Sequence, residues 1–172
     1  DLIIYQRNSQ FLQAIRENDE FITKMNKRSI RNPIVNNGKR QRNPIITELA
    51  KILVEYKCQY SDRNIFKMPN GKYYVEAHHI ILFGAENGPD ITENMVVIGP
   101  EPHTLIHHAA KEEVDNTYRC LVDKGAIKYE QFNKMHEIYG CISENHVHIL
   151  FDRKVINSQQ RDALVSKIRN VT

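Results

Sequence analysis

The chain has 172 residues, 41% of them hydrophobic and 26% charged. This is the composition of one folded domain, or of a small core extended at both ends, and it excludes a disordered chain. No apolar run approaches the length of a membrane span and no signal-peptide pattern opens the sequence, so a membrane is not among the expected partners. The net charge of +3 says little as a total, and the placing of the basic residues matters more.

The first residue is Asp1 rather than Met, which points to a fragment or a processed product. Three scattered cysteines, Cys58, Cys120 and Cys141, form no C-x-x-C and suit free thiols in a reducing cytoplasm.

From the N-terminus, "SQFLQAIRENDEFITKMNKR" spaces Phe11, Leu12, Ile15, Phe21, Ile22 and Met25 as one or two amphipathic helices would. "SIRNPIVNNGKRQRNP" reads as a loop or linker. A helix is expected over 47–56, with Ile46, Leu49, Ala50, Leu53 and Val54 sharing a face. The turn Pro69, Asn70, Gly71 then separates "NIFKM" from "KYYVEAHHI", and Tyr73, Tyr74 and Val75 favour a strand, so a hairpin is expected there.

"GAENGPDITEN" is rich in turn residues and leads to a second short strand, "MVVIG". With Pro102 in its first turn, one helix is expected to run to about Gly125, with a break near Asp115 and Asn116. The remainder reads as helices: one over 129–139, one capped by Ser143, and one capped by Ser158 with Ala163, Leu164 and Ile168 on its inner face. "HVHILF" has a strand as its alternative reading. The fold class expected is α+β: mainly helical, around a small core of two antiparallel strands and a helix.

Five of the eight histidines fall between residues 78 and 108. His103 and His107 are four apart on the expected helix, so they project from one face and can share a metal ion. Neighbours on a strand point to opposite sides, so one of His78 and His79 joins that pair and the other is left for different work. Three imidazoles leave a coordination position open, as catalytic sites do. They favour zinc or nickel over magnesium, which prefers oxygen. His108 lies about 100° round the helix from His107 and is not expected to be a ligand. His136, His146 and His148 stand apart from this group. A second zinc involving Cys141 and "ENHVH" is the less favoured reading for them.

The run "EAHHI", Asn94, "MVVIG", His103 and His107 resembles the HNH endonuclease family, whose core is the ββα-metal motif. It is nearest to the histidine-rich branch that includes the colicin-type DNases and the bacterial E-x-HHI domains. The resemblance covers about 58–110. It implies His78, His103 and His107 as ligands of one divalent metal ion (Zn, Ni, Mn or Mg). It also implies His79 as general base with a backbone carbonyl fixing its tautomer, Asn94 as brace of the loop, and Glu76 as an acidic residue behind the ligands.

The implied division is an N-terminal helical and basic-linker segment (1–57), a nuclease core (58–112) and a C-terminal helical extension (113–172). The implied activity is hydrolysis of DNA to 5′-phosphate and 3′-hydroxyl ends, in restriction or defence. RNA cleavage, a toxin-type nuclease with an inhibitory partner, and a non-catalytic nucleic-acid-binding module are the alternatives; a homodimer is compatible with the first setting. Many such domains carry two C-x-x-C knuckles. Here "CQYS" keeps Cys58 and "GPEP" has no cysteine, so no structural zinc is expected there. Lys24, Lys27, Arg28, Arg31, Lys39, Arg40 and Arg42 form a stretch free of acids, a candidate phosphate-contacting arm, to which Lys67, Lys72 and Lys111 could add.

Overall fold

The structure is a computed structural model that describes residues 2–63 and 65–170, with side chains from Ser9 onward. Asp1, and Asn64 of the first expected hairpin strand, lie outside the described residues.

Two helices open the chain, α1 (Leu2–Arg16) and α2 (Asp19–Arg31). Asn18 separates them and caps α2, its side chain accepting from the Phe21 N–H at 2.9 Å. The expected linker is instead a hairpin, β1 (Ile34–Asn36) paired with β2 (Lys39–Gln41). Asn37 and Gly38 both take left-handed φ angles, 51° and 74°, the pair that a tight two-residue hairpin turn demands. The hairpin escaped notice because nearly every position is exposed, so no apolar alternation marks it.

Helix α3 (Pro44–Leu53) starts earlier than expected. Asn43 caps it by accepting from the Ile45 N–H at 3.0 Å, and Pro44 fills the first helical position, where no N–H is needed. Its buried face is Ile46, Leu49, Ala50 and Ile52, whereas Leu53 and Val54 are only half-buried.

The hairpin expected around Pro69, Asn70 and Gly71 shrinks to one bridge, Lys67 with Tyr73. Phe66 and Tyr73 there are exposed, Phe66 stacking on the neighbouring Tyr74 ring. The strand proper, β3 (Glu76–His79), pairs antiparallel with β4 (Met95–Ile98), and all four β4 residues are buried. Apolar burial chose this partner over the nearer one.

The long helix is divided at Ala109 and Ala110, not near Asp115, giving α4 (Pro100–His108) and α5 (Lys111–Asp123). Alanine is the strongest helix former, so packing imposes this break. Helix α4 presents His103 and His107, while α5 turns Thr117, Tyr118 and Leu121 into the core.

Three helices complete the chain: α6 (Tyr129–Glu137), α7 (Glu144–Asp152) and α8 (Ser158–Arg169). The strand alternative for "HVHILF" is overturned. Ser143 and His146 cap each other's backbone N–H groups, and α7 buries Val147 and Leu150. In α8 the cap is Asn157 rather than Ser158, Leu164 is fully buried, and Ala163 is exposed.

One apolar cluster runs from Ile46 to Leu164, joining α3, the β3–β4 pair and the C-terminal helices. The protein is thus mostly helical around a ββα-metal-like core of β3, β4 and α4. Helix α2 is tied to this core by the buried Asn26. Its amide donates to Thr92 Oγ1 (2.8 Å) and Glu93 Oε2 (2.7 Å) and accepts from the Thr92 N–H. No helix among the described residues is long and apolar enough to cross a membrane.

Candidate metal centre

Strand β3 delivers His78 and helix α4 delivers His103 and His107, one turn apart. One nitrogen from each lies within 4.8 Å of the others. The ring centroids of His78 are 5.4 Å from His103 and 5.0 Å from His107, and those of His103 and His107 are 4.7 Å apart. The triad is graded in exposure: His78 is buried at 2%, His103 is half-buried and His107 is exposed. One side of the cluster therefore opens to solvent.

The second nitrogens of His103 and His78 are engaged. Nδ1 of His103 lies 2.6 Å from Glu76 Oε2, and Nε2 of His78 lies 2.9 Å from the Tyr118 hydroxyl. These bonds orient the rings and leave Nε2 of His103 and Nδ1 of His78 as donors, the outer-shell arrangement that metal-ligating histidines use. Burial, then the neighbouring His103 and His107 and, beyond them, His79 and Arg153, push the His78 pKa down to about 3. His107 is also lowered, first by burial and then by His103, His108 and Arg42, against the opposing pull of Glu76. Metal ions bind the neutral ring, so both shifts favour coordination. The donor set fits a divalent transition metal such as zinc or nickel.

Behind the triad stands a half-buried network that the sequence did not disclose. The Arg153 guanidinium donates to both carboxylate oxygens of Glu86 and to the Ile80 carbonyl, and sits 5.7 Å from the Tyr118 ring centroid. The partners of His78 thus come from α5 and, through Arg153, from the segment capping α7.

His79 has a different setting. It is 3% exposed, with its Nε2 2.9 Å from Asp90 Oδ1 and its ring 5.4 Å from that of Phe83. The partner is a carboxylate, not the expected backbone carbonyl. Its Nδ1 is buried with no hydrogen-bond partner among the described residues. Such an orphan costs about 1–3 kcal/mol and calls for a reason. Asp90 itself accepts from the Asn43 N–H at 2.5 Å through its other oxygen. Only its place in "GPDIT", between the two strands, hinted at Asp90.

Asn94, 0% exposed, stitches the loop between β3 and β4. Its Nδ2 donates to the Ile81 and Pro89 carbonyls and its Oδ1 accepts from the Ile81 N–H, each at 2.9 Å. Within that loop Gly88 lies so close to Ile81 that an added Cβ would sit 1.9 Å from the Ile81 carbonyl oxygen.

The basic residues divide. Lys24, Lys27, Arg28 and Arg31 line a surface groove on α2, which they share with Asp19 and Glu20. Lys39 and Arg42 are exposed, and the charge of Arg42 reaches His107. Arg40 turns inward, donating to the Phe83 and Gly88 carbonyls at 2.7 and 2.8 Å and stacking on the Phe83 ring. Lys72 donates to the Tyr56 hydroxyl and lies over its ring, and Lys111 pairs with Asp115.

At the knuckle position, Cys58 Sγ accepts from the N–H groups of Gly99 (3.1 Å) and Ser61 (3.4 Å). Cys141 donates to the Met135 carbonyl, and His146 is held as the cap of α7 and by the Glu86 carbonyl. No family model, no curated protein and no solved structure matches the chain.

Proposed function

We propose that the chain is a metal-dependent endonuclease of the HNH type. It hydrolyses DNA phosphodiester bonds to 5′-phosphate and 3′-hydroxyl ends, with restriction or defence as its setting. The observation that carries this reading is a triad of imidazoles within 4.8 Å beside a fourth imidazole, on the next residue of the same strand, that keeps one nitrogen unpartnered. A purely structural metal site has no use for the fourth.

His78, His103 and His107 hold the ion, which when bound supplies Lewis-acid stabilisation of the negative charge that builds on the phosphoryl oxygens. His79 takes a proton at Nδ1 from the attacking water, a role worth about 10²–10⁴-fold for a positioned general base. Asn94 keeps the loop that carries Asp90 from drifting relative to the strand. Lys24, Lys27, Arg28, Arg31, Lys39 and Arg42 are assigned to the nucleic-acid backbone; the exposure of Lys39 and Arg42 and the four basic side chains along one groove of α2 support that assignment, although Asp19 and Glu20 share the groove. Arg40 and Lys72 are withdrawn from it, because their charges are engaged within the protein.

The test is cleavage of supercoiled plasmid and of an RNA of matched length with Mg²⁺, Mn²⁺, Ni²⁺ and Zn²⁺, comparing the wild type with His79→Ala. DNA cleavage should depend on metal and fall by at least about 100-fold in the variant. Equal cutting by the two proteins would remove His79 from the mechanism. Cleavage of RNA alone would reassign the substrate, and discrete DNA fragments would mark sequence recognition.

A further inference from the structure

We propose that Asp90 is a positioning residue that fixes which nitrogen of His79 carries the proton, and that the isosteric change Asp90→Asn reverses the choice. The proposal deepens the nuclease reading and rests on it for its catalytic consequence.

The argument is a count of donors and acceptors. Asp90 Oδ2 faces the Asn43 N–H at 2.5 Å, and Asp90 Oδ1 faces His79 Nε2 at 2.9 Å. A carboxylate only accepts at both oxygens, so Nε2 must be the donor. The proton of the neutral ring therefore sits on Nε2, and the lone pair sits on Nδ1. That is also the arrangement Nδ1 tolerates best, because an N–H there would be a buried donor with no acceptor. Both oxygens of Asp90 are thus spoken for, and the residue is nearly sealed from solvent.

In Asp90→Asn one oxygen becomes an NH₂ group. The Asn43 N–H is a backbone donor and cannot reverse, so the amide oxygen must turn to it. The NH₂ then faces Nε2, which can meet it only as an acceptor. The proton moves to Nδ1, where the base needs a lone pair. The opposite amide orientation would set two donors against each other at Asn43 in a buried position. Asn43 is thus the element that makes the exchange one-way. It is held in turn by its place as the cap of α3, directly after the β1–β2 hairpin. Arg40 of that hairpin grips the Phe83 and Gly88 carbonyls, so the hairpin and the Asp90 loop form one assembly.

The tautomer can be read directly by long-range ¹H–¹⁵N correlation on the zinc-loaded full chain with ¹⁵N-labelled histidine, without nucleic acid. Wild-type His79 should show a protonated Nε2 and a bare Nδ1, and Asp90→Asn should show the reverse. Cleavage by Asp90→Asn should fall at least about 100-fold, with zinc and DNA affinities within about two-fold of wild type. The wild-type spectrum is a test in itself, even if the variant folds poorly. A bare Nε2, or a ring protonated on both nitrogens at neutral pH, would overturn the proposal. So would an unchanged tautomer in a folded Asp90→Asn. If wild-type His79 has the proton on Nε2 but the chain cuts nothing, the nuclease reading fails and the Asp90 assignment stands. If the chain cuts while the proton sits on Nδ1, the reverse holds.

Discussion

Glu76 Oε2 lies 2.6 Å from Nδ1 of His103, joining the first residue of β3 to the first ligand of α4. An anionic acceptor on the far nitrogen raises the basicity of the near one and pins the ring. Glu76→Ala should weaken zinc binding by about 10- to 100-fold in calorimetric titration, with little change in helix content. Unchanged affinity would mean that His103 is not a ligand, or that its ring is held by other contacts.

Tyr118 plays the matching part for His78. Its hydroxyl is buried and meets Nε2 of His78 at 2.9 Å. Tyr118→Phe keeps the ring and removes only the hydroxyl. It should lower zinc affinity by about ten-fold while thermal stability falls by about 1 kcal/mol, both readable on one purified protein.

The pKa of His78 gives the metal-free chain an acid sensitivity of known sign. The folded value, about 3, lies below the ordinary 6.5, so the unfolded chain binds the extra proton first. Stability is therefore full above about pH 6.5 and falls as the pH drops from there toward 3, by up to about 1.4 kcal/mol per unit. Urea midpoints of the metal-free protein should fall between pH 7 and pH 5, and His78→Gln should flatten that slope. Equal slopes in both proteins would place the acid sensitivity elsewhere.

The loop between β3 and β4 should be intolerant at two positions. Asn94→Ala strands the Ile81 N–H and two buried carbonyls, a loss of about 3 kcal/mol. Gly88→Ala forces a methyl group against the Ile81 carbonyl oxygen, and should cost about 2 kcal/mol or more. Denaturant unfolding measures both.

Arg40 and Arg42 stand two residues apart and should behave as opposites. Arg40→Ala removes the bonds to Phe83 and Gly88 and should lower stability without changing the salt dependence of DNA binding. Arg42→Ala should leave stability alone and reduce the slope of log affinity against log salt by about one.

The triad was legible because local geometry alone sets two of its directions: helical spacing puts His103 and His107 on one face, and strand alternation separates His78 from His79. What escaped depends on the tertiary structure. Asp90 reaches His79 across a loop, and Tyr118 reaches His78 from a helix whose start at Lys111 contradicts the local preference of Ala109 and Ala110. The expected core of two antiparallel strands and a helix is there as β3, β4 and α4, while the hairpin expected around Pro69, Asn70 and Gly71 is reduced to the Lys67–Tyr73 bridge. β3 chose the buried β4 over the exposed segment nearer in sequence, which no single window of residues can weigh. The β1–β2 hairpin was readable from Asn37 and Gly38, but its exposed flanks gave no alternation to support them.

X-ray absorption of the zinc-loaded chain tests most directly whether His78, His103 and His107 hold one ion. Imidazole nitrogens at about 2.0–2.1 Å and no sulfur should fill the protein part of the shell, with one zinc per chain. His103→Ala should remove one imidazole from that shell. A sulfur ligand, or a spectrum that His103→Ala leaves unchanged, would contradict the triad as the metal centre.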